Sequence, residues 1–383
     1  MNIGRVCVEE TADTNPFQAR DYLELQIDLL KKHGLDEDAN LLQIKIAESF
    51  VAQADNSSTA MDECGFLERA IQAYRRSSGN QEIILLLQKR ISSKQKSIPS
   101  ELGNISTEID ITEAVNSAKE SVRGKSLFEA LKSFSILIDI NSYDQLKSFV
   151  FDMAESAPLL HTIGWSKVDD QGRTISKVEG VGIDGVDAEY NEMIYQYFTK
   201  FIDFDVRAKI IPALITIKEE HEITERFIAQ LVAYSPLVPQ GYGQFFIRGL
   251  LAGFYGDFPL ASILMVPQLE ECFRNLLRIA GEATAPLDGK GIQNEMMLNS
   301  LLDNQKLKEI ITEDVAFTLR ALLIEKNGYN YRHDLAHGLI TYDGYFTSPS
   351  VYIWWLIFRL TIIPYINLQH EQEKQSSAPE NPE

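Results

Sequence analysis

Cysteine is scarce: the 383-residue chain has three, Cys7, Cys64 and Cys272, far apart in sequence and with no C-x-x-C spacing. An odd number so placed excludes a complete disulfide framework and points to a reducing compartment. Positive charge is also short, with 36 Lys and Arg against 55 Asp and Glu and a formal net charge of −19. That balance excludes a surface that is basic throughout, so any contact with a polyanion must be local. Between residues 236 and 369 ten basic residues face thirteen acidic ones, which makes this stretch the least hostile to RNA. The amino terminus has no basic start and no apolar run but Glu9, Glu10 and Asp13 instead, so a secretory signal is not read and a cytoplasmic location is expected.

Long apolar runs are limited to Val351–Leu368, VYIWWLIFRLTIIPYINL. Its length approaches a membrane span. Arg359 lies at its middle and Pro364 interrupts it, and a charge at the centre of a bilayer costs about 2.5–3.5 kcal/mol on insertion scales. A buried helix of a bundle is therefore expected, with no membrane partner.

What is present is a globular balance, 45% hydrophobic and 24% charged residues, in a chain too long for one ordinary core. A mainly α, multi-domain protein is expected. Apolar residues recur every three or four positions from Pro16 to Ser93, as in Tyr22, Leu25 and Leu29, with breaks at Gly34, Asn56 and Gly79. This predicts paired helices, a helical-hairpin region over residues 1–92 suited to binding a protein partner. Residues 93–106 have the composition of a linker. Helical patterning over 107–234 is interrupted near residues 159–183, where Trp165, Val168, Ile175, Val178 and Val181 flank Asp-Asp-Gln-Gly; this predicts a β-hairpin, packed on the helices beside it because a lone hairpin is marginal in water. Ser235-Pro236 and Pro239-Gln240-Gly241 mark a turn and the entry to a further helical domain, 235–369. Residues 370–383 have little apolar content and are expected to be disordered.

The stretch Asn330-Tyr331-Arg332-His333-Asp334-Leu335-Ala336-His337-Gly338 gathers chemistry. His333 and His337 are four apart and share a helix face, and Arg332 reaches their pocket from its flank. Arginine offers a permanent charge and a planar fork for phosphate oxygens, and histidine can take and give a proton. Such a pair suits phosphodiester cleavage without a metal: the 2′-hydroxyl of RNA attacks its own phosphorus, and the enzyme supplies proton transfer and charge stabilisation. Glu270 and Arg274, at i and i+4, could line the same pocket and orient Arg332 or His337, or form an ordinary ion pair within a helix. Asp334 is expected to cap the helix that begins here.

The segment RHDLAHG is similar to the signature of the HEPN superfamily of helical ribonucleases and binding modules: Arg, a polar residue, three further residues, His. Its closing His-Gly resembles a bacterial subfamily with R-N-x-x-x-H-G, in which Asn stands where this chain has His333. The likeness extends through Ser235–Ala261, Val266–Leu277 and the Trp354-Trp355 helix, about 130 residues in all. It implies a C-terminal helical bundle with Arg332 and His337 catalytic and His333 their polar companion, neither metal nor cofactor, RNA as partner, and a homodimer through this domain with two Arg/His sets facing one cleft. Toxins, antiphage defence effectors and RNA-processing enzymes are typical members, and others only bind.

Two rival readings use the same residues. His333-Asp334-Leu335-Ala336-His337 imitates the H-E-x-x-H zinc helix of metal-dependent hydrolases, but needs a third ligand, and His33, His161, His221 and His370 lie far off in sequence. Alternatively the chain is a non-catalytic interaction protein, its N-terminal helices a partner-binding scaffold and its C-terminal domain a dimerisation or RNA- or nucleotide-binding module.

Overall fold

A computed structural model describes residues 15–103, 108–156, 164–168, 171–178, 187–287 and 289–376. The protein is mainly helical, with a small two-stranded antiparallel sheet. It divides into two compact units, residues up to 107 together with 166–177, and the remainder.

Among the described residues the N-terminal unit has four long helices, Pro16–Lys32, Asp36–Asp55, Ala60–Arg75 and Gln81–Lys94. Local chemistry sets their ends. Asn15 caps the first by accepting from the Gln18 N–H, with Pro16 at the first helical position. That helix stops at Gly34, whose φ of 71° allows the Leu35 N–H to turn back to the Leu30 carbonyl. Thr59 caps the third. The buried faces meet through small and aliphatic side chains such as Ala47, Leu67, Ala70 and Ile46.

The expected linker at 93–106 is a correction. The chain continues as a tight turn, Gln95–Ser97, and a short helix, Ile98–Glu101. Ile98 joins the core, and a Glu101 carboxylate oxygen accepts from the Ala60 N–H at 2.6 Å. A single buried isoleucine and one helix-end contact outweigh a linker-like composition; residues 104–107 lie outside those described.

The hairpin is present as Trp165–Val168 and Thr174–Val178, within the range expected, although residues 159–163 and 179–183 lie outside those described. Its packing differs from expectation. Residues 166–177 belong with the N-terminal unit rather than with the helices beside them in sequence. Gly172, at φ 73°, sits so close to the Gln95 carbonyl that an added Cβ would lie 1.8 Å from its oxygen, and Lys177 pairs with Glu68.

In the larger unit the division expected between residues 234 and 235 is absent. One hydrophobic core runs from Ala118 to Ile366. Its centre is the helix Ser348–Ser376, from which Trp354 donates to the Leu250 carbonyl at 3.1 Å and Trp355 to the Phe134 carbonyl at 2.9 Å. A tryptophan N–H needs a partner when buried, and these two find theirs on opposite sides of the supposed boundary. Gly253 makes room for the Trp354 indole, which a Cβ there would meet at 2.1 Å. The same helix is long and apolar enough to cross a membrane, yet Val351–Phe358 are all buried within the protein's own core. It continues to Ser376, so residues 370–376, expected as a disordered tail, are helical, and residues 377–383 lie outside those described.

Candidate active site

The RHDLAHG segment forms a single short helix, Tyr331–Ala336. Asn330 enters it in the left-handed region at φ 51°, a conformation that asparagine tolerates better than most residues. The exit is a glycine turn: Gly338 at φ 64° lets its own N–H reach the Leu335 carbonyl and the Leu339 N–H reach the Asp334 carbonyl. The His-Gly pair thus has a backbone reason, since His337 is the last half-helical residue and Gly338 reverses the chain. Tyr331 anchors the helix from beneath; it is buried, with its hydroxyl 2.8 Å from both Ser262 and Ser350. Asp334 does not cap the helix as expected, because the helix begins three residues earlier.

Arg332 projects from this anchored turn towards the helix Leu269–Ile279. One of its terminal nitrogens donates to Glu270 at 2.8 Å, with the Arg332 side chain 45% exposed and Glu270 16%. Glu270 also faces Arg274 at 3.7 Å. Arg274 in turn donates to Glu271 at 2.9 Å and to the Met296 carbonyl at 2.9 Å, lies 3.5 Å from Glu295, and shares Glu271 with Arg278. The result is a row of alternating charges from Arg278 to Arg332. Burial opposes ionisation of Glu271, but hydrogen bonds from Arg274 and Arg278 outweigh it and hold its carboxyl below the usual range. Both roles expected for Glu270 and Arg274 therefore coexist: they pair within their helix, and Glu270 grips Arg332.

Two clefts flank this row. The larger, about 510 Å³, is lined by Glu270, Arg274, Arg332, Leu335 and Tyr345 among others. The smaller, about 220 Å³, is lined by Arg332, His333, Asn330, Asn299 and Glu270. Arg332 and Glu270 stand on the ridge between them. His333 borders the smaller cleft; His337 lines neither, but its ring packs on that of His333 with centroids 4.3 Å apart. All three side chains are exposed. The expected convergence is thus partial: Arg332 meets His333, and His337 reaches the group through His333.

Among the described residues no group of three His, Cys, Asp or Glu is placed to hold a metal ion. His370 contacts Lys132, and His161 lies outside the described residues. The residues that sequence reasoning missed are Tyr331, Ser262 and Ser350, which fix the helix, and Glu271 and Glu295, which complete the charge row; no motif marks them. Compared with protein-family models, with curated proteins and with solved structures, the chain gives no match.

Proposed function

We propose that this protein is a metal-independent endoribonuclease of the HEPN type, acting in the cytoplasm. The 2′-hydroxyl oxygen of one nucleotide attacks the adjacent phosphorus and loses its proton to an imidazole. The bond from phosphorus to the 5′ oxygen breaks, and that oxygen takes up a proton. A 2′,3′-cyclic phosphate and a 5′-hydroxyl result, with no water consumed. Arg332 holds the phosphate oxygens, and His337 and His333 carry the protons.

The observation that supports this reading most is the exposed cluster at the end of one anchored helix, with Arg332 and His333 on the same small cleft and His337 against His333. The carboxylate of Glu270 occupies the arginine fork as a phosphate oxygen would. Glu270 accepts one hydrogen bond from Arg332, whose side chain is 45% exposed, so a phosphate, able to accept two parallel hydrogen bonds from the guanidinium, can replace it. A second copy of the chain, bringing its own Arg332 and His337, would complete the cleft.

Labelled single-stranded RNA in EDTA tests the proposal. The wild type is expected to cut and leave cyclic phosphate ends. Arg332→Ala and His337→Ala should each lower the rate by about 10²–10⁴-fold with unchanged circular dichroism, and Asp334→Asn should matter little. Wild-type cleavage by His337→Ala would end the assignment.

The position of Glu270 on Arg332, and of His337 outside both clefts, favours one second reading: a domain that binds RNA or a nucleotide without cutting it. An intact substrate retained on the protein, and released by Arg332→Ala, would select that reading.

A further inference from the structure

A further cavity of the C-terminal unit lies away from Arg332. It measures about 580 Å³, within the range of small-molecule sites. Its wall is mainly aliphatic, with Leu237, Ile311, Val315 and Ile363 among its members. Into this wall is set Arg359. Its guanidinium stacks over Trp355 at 5.6 Å and donates one hydrogen bond, to the Ile138 carbonyl at 2.7 Å. Among the described residues no carboxylate comes within ion-pairing distance of it. Burial pulls its pKa below the usual arginine value, while Tyr352 and Asp139 oppose that shift. A half-buried guanidinium with one protein acceptor keeps N–H donors to spare and favours an anion beside it.

Four further features line the same space. Asp139 follows the residue whose carbonyl holds Arg359 and is exposed, and Asp314 stands on the first turn of the helix Glu313–Leu323. Pro364 has no N–H to give the Leu360 carbonyl four residues earlier, so that acceptor is left out of the helix ladder. Thr312 holds φ 77° and ψ 152°, a region rarely adopted by a residue with a side chain; such strain concentrates at functional positions. One cationic group, two anionic groups and a spare carbonyl on an aliphatic wall complement a small zwitterion with an apolar body. A plain fatty acid would leave its head beside Asp139, and an amine would face Arg359.

We propose that this cavity binds a free aliphatic α-amino acid, its carboxylate on Arg359, its ammonium towards Asp139 and the Leu360 carbonyl, and its side chain against Leu237 and Ile363. The site uses none of the residues around Arg332 and stands whether or not the protein cuts RNA.

Titration calorimetry on the full chain tests it, with L-leucine as probe beside 4-methylpentanoate, which lacks the ammonium, and 3-methylbutylamine, which lacks the carboxylate. Leucine is expected to bind one site, each analogue at least about tenfold more weakly because a charged group of the site is left unpaired. Arg359→Met should abolish binding. Because Arg359 also packs on Trp355, Asp139→Asn, an exposed change that leaves the core alone, provides the second arm and should weaken leucine at least about tenfold without lowering Tm. No heat with leucine, equal binding of an analogue, or an unaltered affinity in Asp139→Asn would each overturn the assignment.

Discussion

The two units fill their interiors with different side chains. In the N-terminal unit the core is made of Ala, Leu, Ile and Cys64 with one buried aromatic, Tyr74, and charge is taken inside: Glu63, at 8% side-chain exposure, is held by Arg90 at 2.6 Å and Lys94 at 2.9 Å, while Arg20 reaches Ser49 and Gln53 and stacks on Phe50. In the C-terminal unit Trp354, Trp355, Phe134, Phe254 and Phe358 form a contiguous aromatic centre, Arg359 stands at its edge, and one buried carboxylate, Asp205, is held by Lys209 at 2.8 Å. Small side chains let helices approach closely and leave seams that ion pairs fill. Large rings fill volume by themselves.

The sharpest test of this contrast is Trp354→Ala, which should cost the C-terminal unit about 3–5 kcal/mol, read as an early loss of tryptophan fluorescence change in urea. A loss under 1 kcal/mol would show that the aromatic centre is not what holds the unit, a threshold set at about the lower end of ordinary substitutions. Next comes Glu63→Gln, expected to destabilise by about 1–3 kcal/mol at pH 7. Despite the opposing effect of burial, hydrogen bonds from Lys94 and Arg90 hold the Glu63 carboxyl below its ordinary value of 4.5. Its contribution is therefore complete above pH 4.5 and is lost as pH falls through the lowered folded-state value. The variant should show a flatter acid limb in a stability profile.

Asp205 inverts the sign. Burial raises its carboxyl above the ordinary 3.8, against the opposing pull of Lys209. The stability linked to its raised value is fully present below pH 3.8 and is lost as pH rises through the folded-state value. Asp205→Asn should thus cost less at pH 7 than Glu63→Gln does, and the two pH profiles should differ in opposite directions from wild type. Smallest of all, Leu86→Ser on the outside of the N-terminal unit, at 64% exposure, should change stability by no more than about 0.5 kcal/mol; a larger loss would reveal that this leucine is covered by a partner.

Much of the helical pattern was legible in the sequence. Gly34 ends a helix and Gly338 ends the motif helix because each takes a left-handed φ, and Asn15, Thr59 and Thr224 cap the helices that follow them. The RHDLAHG helix was legible for the same reason, as its residues are neighbours along one turn. The hairpin's place was not: whether Gly172 meets Gln95 or a nearer helix depends on shape over a separation of 77 residues, which no local pattern records. Asp334 misled because favoured caps also occur inside helices when the true start, here at Asn330, rests on a backbone angle.

The sequence by itself determined where helices begin and stop, and set an arginine and two histidines on a single short helix, because those choices are made by interactions spanning a few residues. Only the tertiary structure decided that Glu270, 62 residues away, holds Arg332, that helices on both sides of residue 235 share one core, and that among the described residues no carboxylate pairs with Arg359 beside its cavity. Those outcomes depend on which surfaces fit one another, and complementarity between distant segments is a property of volumes and charges in space that periodicity along a chain does not carry.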